Sequence, residues 1–190
     1  IPRPGQLPAG FDDEPLVNDI AWQTAAWMDR APRFFSYSFS EAPIRPAQEG
    51  NPVVIYSHGG GSARLDNLAL AAELASHGYV VASVDHADAG VAVLPDGTLY
   101  RRPGDVTFSA AGLQDRVRDV AFVLEELNRL NETDPILRGR LDLDRLAAMG
   151  WSWGGDTAGE IGRVNRRCQA VVSLDQGGVT ASTAPALATS

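Results

Sequence analysis

A serine between two glycines lies in the stretch RLAAMGWSWGG, residues 145–155, and it constrains the fold more than any other feature. An apolar segment ends at Gly150, and a helix is predicted to begin just after Ser152. A strand-to-helix turn this tight crowds the residues on either side of the serine, so they must be small, and Gly150 and Gly154 meet that demand. The turn raises the serine oxygen above the sheet at a helix N-terminus, where backbone N–H groups stabilise negative charge. Ser152 is therefore predicted to be a nucleophile.

Short apolar stretches alternate with amphipathic ones from residue 52 onwards. Four short, mainly apolar stretches are predicted to be strands: PVVIYS, YVVASVD, RLAAMG and CQAVVSLD. PVVIYS is rich in β-branched residues, as expected of a strand covered on both faces, and YVVASVD is predicted to be a second buried strand. Two others, DNLALAAELASHG and LQDRVRDVAFVLEELNRLN, repeat apolar residues at three- and four-residue intervals, which predicts helices. The stretch LPDGTLY predicts a small hairpin with its turn at Asp96 and Gly97. This alternation predicts an α/β fold with a mostly parallel sheet and helices on both faces.

Residues 1–51 differ in pattern from the remainder and are predicted to form an N-terminal extension that packs on a core of residues 52–190. Residues 1–14 are rich in proline and glycine, which predicts an extended segment. Residues 15–30 are predicted to be helical. Aromatic and small polar residues alternate at 34–39, which predicts an edge strand.

The charge and the cysteine content exclude several classes of function. A net charge of −8 argues against nucleic acid as a partner, because phosphate binding needs clustered positive charge. The single cysteine, Cys168, excludes an intrachain disulfide and a cysteine-cluster metal site, and no metal or cofactor is predicted. No apolar run approaches the roughly 20 residues that span a bilayer. The chain begins at Ile1 without a signal segment, which leaves the compartment open, with an extracellular or periplasmic location favoured over a cytoplasmic one.

A second glycine-rich segment, YSHGGGS at residues 56–62, directly follows the first predicted strand. A run of glycines lets the backbone approach a substrate closely and direct an N–H group at a developing oxyanion. His-Gly-Gly-Gly in this position is a pattern described for esterases and lipases. The N–H of Trp153, the residue after the serine, is expected to supply a second donor. His58 is expected to hold the loop in shape through hydrogen bonds.

An acidic partner is expected at the end of the strand that follows the serine. Asp175 ends the stretch CQAVVSLD and is the predicted acid. Asp156 and Glu160 are its rivals, but both are predicted to lie on the helix after the serine and to point away.

The segments PVVIYSHGGG, LASHGYVVASVDH, GWSWGG and VVSLD together resemble the platelet-activating factor acetylhydrolase family, which has the α/β-hydrolase fold. The resemblance extends over roughly residues 52–176 and implies a calcium-independent serine esterase that removes short acyl chains. It implies Ser152 as the nucleophile and Asp175 as the acid. The N–H groups of Gly60 and Trp153 would be the oxyanion donors.

The sequence departs from the family pattern at two places. Tryptophans occupy the positions on either side of the serine, Trp151 and Trp153, where the family usually has a histidine or similar residue and a phenylalanine. Ala87 follows VDH where an arginine is expected. The acyl and headgroup preferences therefore stay open, although two bulky side chains beside the serine predict a narrow acyl pocket. Related polyester and dienelactone hydrolases share much of this skeleton.

No histidine follows the serine in this sequence, although the fold orders its triad as serine, acid, histidine. The three histidines, His58, His77 and His86, all precede Ser152. His86 ends the second predicted strand and is the one upstream alternative as a base, whereas His77 ends a helix. We expect the chain to be a fragment that is inactive alone. A further C-terminal segment would then carry the catalytic histidine and two more strands.

Three functions remain open from the sequence. The leading one is hydrolysis of a small-molecule or lipid ester through an acyl-enzyme, which allows for contact with a membrane surface. A second uses the same residues on lactones, polyesters or aryl esters. A third is a non-catalytic binding protein with a hydrolase fold.

Overall fold

The computed structural model describes Ser38 and residues 43–94, 98–102 and 106–178. Contacts divide the chain into two compact units, Ile1–Pro43 and Ile44–Ser190, and the helices and strands given below lie in the second. The helix predicted at 15–30 and, apart from Ser38, the edge strand predicted at 34–39 lie outside the described residues. The predicted hairpin turn at 96–97 does so as well.

The second unit contains a four-stranded parallel sheet and a separate two-stranded hairpin. The strands are β1 (Asn51–Ser57), β2 (Val80–Val84), β3 (Val91–Val93), β4 (Leu99–Arg101), β5 (Leu141–Trp151) and β6 (Cys168–Leu174). The helices are α1 (Leu68–Ser76), α2 (Ala110–Thr133) and α3 (Trp153–Val164). The main sheet has the order β2-β1-β5-β6, and β3 pairs with β4 in antiparallel fashion. All four predicted parallel strands are confirmed, and so is the α/β class.

The two faces of the sheet are buried by different helices. On one face, Val53 and Ile55 of β1 pack with the apolar side of α2 and with Ile161 of α3. On the other face, Val54 and Tyr56 pack beside Leu70 and Leu74 of α1. Alternate residues of a strand point to opposite faces, so a strand buried on both sides needs the continuous apolar run seen in PVVIYS. The helices predicted for both faces are therefore confirmed. In the part of the chain that the structure describes, no helix combines the length and the apolar character needed to cross a membrane.

The carboxyl ends of β1, β5 and β6 come together at one edge of the sheet. Ser57 is in register with Gly150, and Trp151 is in register with Leu174. After β1 the chain passes through α1 to β2, on one side of β1. After β5, which pairs with the other side of β1, the chain passes through α3 to β6, so the loops after β1 and β5 run in opposite directions. Open α/β sheets bind their ligands in the crevice formed at such a point. The glycine-rich loop, Ser152 and Asp175 all follow strands that end there.

Candidate active site

Ser152 lies in a strained turn between β5 and α3. Its backbone has φ 53 and ψ −121, an unusual conformation for a residue with a side chain, which costs about 1–3 kcal/mol. The Ser152 N–H donates to the carbonyl oxygen of Leu174 at 2.8 Å, and the Ser152 carbonyl accepts from the N–H of Gly155 at 2.8 Å. These bonds, one to β6 and one within the first turn of α3, hold the strained conformation in place.

The glycines on either side of Ser152 are required by close backbone contacts. A Cβ atom on Gly154 would lie 1.9 Å from the carbonyl oxygen of Ser57. A Cβ atom on Gly150 would lie 2.1 Å from the carbonyl oxygen of Gly154. Both distances are far below van der Waals contact, so any side chain there would force the backbone apart. The small residues predicted from the sequence are thus required by the end of β1 as well as by the turn itself.

The glycine-rich loop after β1 lies directly beside the serine. A Cβ atom on Gly59 would lie 3.7 Å from the Cβ of Ser152 and 2.6 Å from the ring of Trp151. Among the described residues, neither the N–H of Gly60 nor that of Trp153 donates a backbone hydrogen bond. Trp153 is the first residue of α3, where N–H groups lack an intrahelical acceptor. The two predicted oxyanion donors therefore have no backbone acceptor among the described residues that would compete with a ligand.

Hydrogen bonds from His58 fix the glycine-rich loop, as predicted. The His58 side chain is fully buried. Its Nδ1 donates to the carbonyl oxygen of Gly59 at 2.6 Å, and its Nε2 accepts the N–H of His86 at 3.2 Å. The N–H of Gly90 adds a bond of 2.8 Å to the carbonyl oxygen of Ser62. The loop after β2 thus braces the loop after β1 along its length.

Acidification is expected to destabilise the protein through His58. Burial lowers the pKa of its imidazole to about 4, from 6.5 in the unfolded chain. Below pH 6.5 the unfolded state therefore binds a proton that the folded state does not. The free energy of unfolding should fall as the pH drops from 6.5 to 4, by about 3 kcal/mol from this group. The test is urea unfolding over this pH range of the wild type and of His58→Gln, which keeps an acceptor for the His86 N–H. The free energy of unfolding should fall less steeply with decreasing pH in His58→Gln than in the wild type. An equal fall in the two proteins would contradict the lowered pKa of His58.

His86 is committed to a buried chain of hydrogen bonds that does not include Ser152. Its Nε2 is 3.1 Å from the hydroxyl oxygen of Ser57, and its Nδ1 is 3.0 Å from a carboxylate oxygen of Asp119. Burial lowers the pKa of His86, against the opposing effect of its bond to Asp119. The arrangement has the order of an Asp-His-Ser triad, but the Ser57 side chain is sealed from solvent. It therefore gives no support to the alternative that His86 is the base for Ser152.

His77 lies away from this network, at the C-terminal end of α1. Its exposed ring bonds to the carbonyl oxygen of Glu73 at 2.9 Å, and its side chain is the helix-end histidine that the sequence predicts. Among the residues that the structure describes, no group of three or more histidine, cysteine or acidic side chains could hold a metal ion.

The acidic candidates occupy three different environments. Asp175 directly follows β6, is exposed and has φ 50. Glu160 accepts a hydrogen bond from Arg163 of its own helix at 2.6 Å. Asp156, however, is buried and accepts the N–H of Gly178 at 3.0 Å. The prediction that Asp156 points away is therefore wrong, because its side chain anchors the segment that follows Asp175.

The two tryptophans beside the serine differ in exposure. Trp153 is only 1% exposed and packs with Leu113 and, edge to face, with Phe108. Trp151 is 42% exposed and lies over Gly59. Phe108 is 54% exposed and lies over Gly60. The exposed aromatic rings beside the glycine-rich loop are thus those of Trp151 and Phe108. The sequence predicts that Trp151 and Trp153 both narrow the acyl pocket, but only Trp151 is exposed at this position.

Arg116 of α2 is a residue of this site that sequence reasoning misses, as it also misses Phe108. The Arg116 side chain is 2% exposed and pairs with Asp88 at 2.8 Å. Its Nη1 donates to the carbonyl oxygen of His58 at 2.7 Å, and its Nη2 lies 3.4 Å from that of Gly59. The sequence does contain a sign of its role, because Arg116 falls on the apolar face of α2 between Leu113 and Val120. A charge on a buried face indicates a polar partner.

Known proteins are similar to this chain over much of its length. A model of the family described as "Platelet-activating factor acetylhydrolase, isoform II" matches residues 35–95. Platelet-activating factor acetylhydrolase from Cavia porcellus is 29% identical over 160 residues, and the protein of that name from Canis lupus familiaris is 24% identical over 163 residues. Over these residues the chain is similar to the platelet-activating factor acetylhydrolases. Each match covers 70% of this chain and 36% of the relative, so the chain spans little more than a third of the length of these relatives.

A solved esterase structure is also similar to this chain. The ferulic acid esterase from Streptomyces cinnamoneus superposes with a TM-score of 0.60 at 34% sequence identity. The match covers 72% of this chain and 39% of that protein. The predicted resemblance to acetylhydrolases with an α/β-hydrolase fold is therefore confirmed, and an esterase shares the observed arrangement of strands and helices.

Proposed function

We propose that the protein is a serine carboxylic-ester hydrolase that works through an acyl-enzyme on Ser152. The observation that carries the proposal is the strained turn at Ser152 beside the glycine-rich loop, with two unused N–H groups, those of Gly60 and Trp153, next to it. The similarity to acetylhydrolases and to a ferulic acid esterase supports the same chemistry.

In the proposed reaction the base takes the proton of the Ser152 hydroxyl while its oxygen attacks the carbonyl carbon of the ester. The negative charge that develops on the carbonyl oxygen is stabilised by the N–H groups of Gly60 and Trp153, helped by the positive end of α3. The alcohol leaves with a proton from the base, which gives an acyl-enzyme on Ser152. Water activated by the same base then releases the acid and restores the serine.

The base is proposed to be a histidine other than the three in this sequence, oriented by Asp175. His58 and His86 are buried with both ring nitrogens engaged, and His77 bonds at the end of α1. The curated relatives are much longer than the matched region, which is compatible with a base supplied from elsewhere in such a protein. Ser152 and Asp175 follow neighbouring strand ends and could bind one imidazole between them.

The proposed substrates are esters with short acyl chains, as the name acetylhydrolase indicates for the relatives. The exposed rings of Trp151 and Phe108 beside the glycine-rich loop would restrict the space for a longer chain. Contact of the exposed aromatic side chains with a lipid surface belongs to the same proposal, where the substrate is a lipid.

A preference for short chains is expected in a series of p-nitrophenyl esters. The kcat/KM should fall from acetate to dodecanoate in the full-length protein. Trp151→Ala should raise the kcat/KM for octanoate by about tenfold relative to acetate, because it removes the ring above Gly59. Phe122→Ala, which removes a ring on the exposed side of α2, is the matched control and should change neither value. A kcat/KM that rises steadily from acetate to dodecanoate would contradict the narrow pocket.

A second candidate is an esterase for aromatic acids, and the observation that favours it is the 34% identity to the ferulic acid esterase. The two exposed aromatic rings beside the glycine-rich loop would block a long aliphatic acyl chain, but they would stack favourably on an aromatic acyl group. Comparison of methyl ferulate with p-nitrophenyl acetate separates these candidates, since a kcat/KM at least about tenfold higher for the ferulate would favour the second.

The proposal is tested by ester hydrolysis and its block by a fluorophosphonate. The full-length protein should hydrolyse p-nitrophenyl acetate and lose that activity in step with the attachment of one phosphonyl group. A folded protein that neither hydrolyses any ester of the panel nor reacts with the fluorophosphonate would instead support the non-catalytic binding protein.

A further inference from the structure

The guanidinium of Arg116 joins the helix α2 to two consecutive carbonyl groups of the glycine-rich loop. Its Nε lies 3.0 and 3.1 Å from the two carboxylate oxygens of Asp88, and its Nη2 lies 2.8 Å from one of them. The remaining donors reach the carbonyl oxygens of His58 at 2.7 Å and of Gly59 at 3.4 Å. A buried charge is costly unless it is paired and hydrogen-bonded, and here Asp88 and the two carbonyls meet both conditions.

The bond to the Gly59 carbonyl has a direct consequence for the N–H of Gly60. The described peptide bonds are all trans, so the C=O and the N–H of one peptide unit point in opposite directions. When Arg116 and His58 hold the carbonyl of Gly59, the N–H of Gly60 in the same peptide unit must point away from them. Glycines alone would not impose this direction, because they leave the backbone free to rotate.

The same bonds also increase the strength of Gly60 as a donor. The Gly59 carbonyl accepts both from the cationic Arg116 and from the Nδ1 of His58. Hydrogen bonds in a chain polarise one another, and a charged donor does so most strongly. The peptide unit that bears the N–H of Gly60 is therefore polarised in the sense that favours a developing oxyanion.

We propose that Arg116, held by Asp88, is a positioning residue that orients and polarises the Gly59–Gly60 peptide unit for the transition state. Arg116 does not touch the substrate in this proposal, which rests on the ester hydrolysis proposed above. Its contribution should appear in the chemical step, because an oxyanion donor acts on charge that the bound ester has not yet developed.

The test compares Arg116→Ala with Arg118→Ala in the full-length protein. Arg118 lies on the same helix, is exposed and pairs with Asp115, so it is the matched control. We expect Arg116→Ala to lower kcat by about 10- to 100-fold with KM changed by less than about threefold, and Arg118→Ala to change neither. Guanidinium at millimolar, non-denaturing concentration should restore part of the kcat of Arg116→Ala and leave the wild type and Arg118→Ala unchanged.

Arg116→Lys keeps the charge and the stem but loses the planar fork, so it should recover at most part of kcat and gain nothing from guanidinium. If Arg116→Ala does not fold, kcat and KM are compared between Arg116→Lys and the wild type instead. A folded variant whose kcat stays within about threefold of wild type, or whose loss lies wholly in KM, would overturn the positioning role. Absence of ester hydrolysis in the wild type, or its persistence in Ser152→Ala, would instead overturn the proposed function, and with it this inference.

Discussion

Ser152→Ala should lower the kcat/KM for p-nitrophenyl acetate by at least about 10³-fold while the protein stays folded. The loss is large because the alanine provides no oxygen to form the acyl-enzyme. The fold should persist because the Ser152 hydroxyl makes no hydrogen bond among the described residues and its turn is held by backbone bonds. The measurement is steady-state hydrolysis, with circular dichroism to verify the fold.

Ser57→Ala is the matched control for this experiment. Ser57 is bonded to His86, which in turn bonds to Asp119, so by connectivity alone it resembles a catalytic serine. It is buried, however, and an ester cannot reach it. Its alanine variant should retain activity within about tenfold of wild type while losing some stability, since it leaves the Nε2 of His86 without its partner. The reverse ranking of the two variants would contradict the assignment of the nucleophile.

Gly154→Ala should destabilise the protein by about 3 kcal/mol, the upper part of the range for overpacking. The added methyl group would lie 1.9 Å from the carbonyl oxygen of Ser57, and neither backbone can move without disturbing the sheet. Gly159→Ala is the control on the same helix, because a Cβ there meets no atom within 4 Å. It should instead stabilise the helix by up to about 1 kcal/mol. Urea unfolding of both variants measures the difference, and similar midpoints would contradict this account of the turn.

Much of the fold could be predicted because the signals are local. Each of the four parallel strands contains a short apolar run, and α2 repeats its apolar residues at helical intervals. The turn at Ser152 is encoded by Gly150 and Gly154, and each of these glycines lies only two residues from the serine. The placement of Asp175 beside Ser152 also follows, since each residue comes directly after one of two neighbouring parallel strands.

Side-chain contacts between distant segments could not be predicted in the same way. Arg116 bonds to residues 57 and 58 positions earlier in the chain, and His86 bonds to residues 29 positions before and 33 positions after it. Such partners depend on the packing of α2 against the loops after β1 and β2, which no short sequence pattern specifies. The direction of Asp156 was missed for the same reason, because its partner is the backbone of Gly178.

The site of fluorophosphonate attachment tests the central claim most directly. The labelled full-length protein is cleaved after arginine, and its peptides are mapped by mass spectrometry. The account predicts one phosphonyl group, on Ser152, in the peptide of residues 146–163. Ser57 falls in a different peptide, so the two serines are resolved without ambiguity. Labelling of Ser57 or of any other residue, with Ser152 unmodified in folded protein, would contradict the claim that Ser152 is the nucleophile.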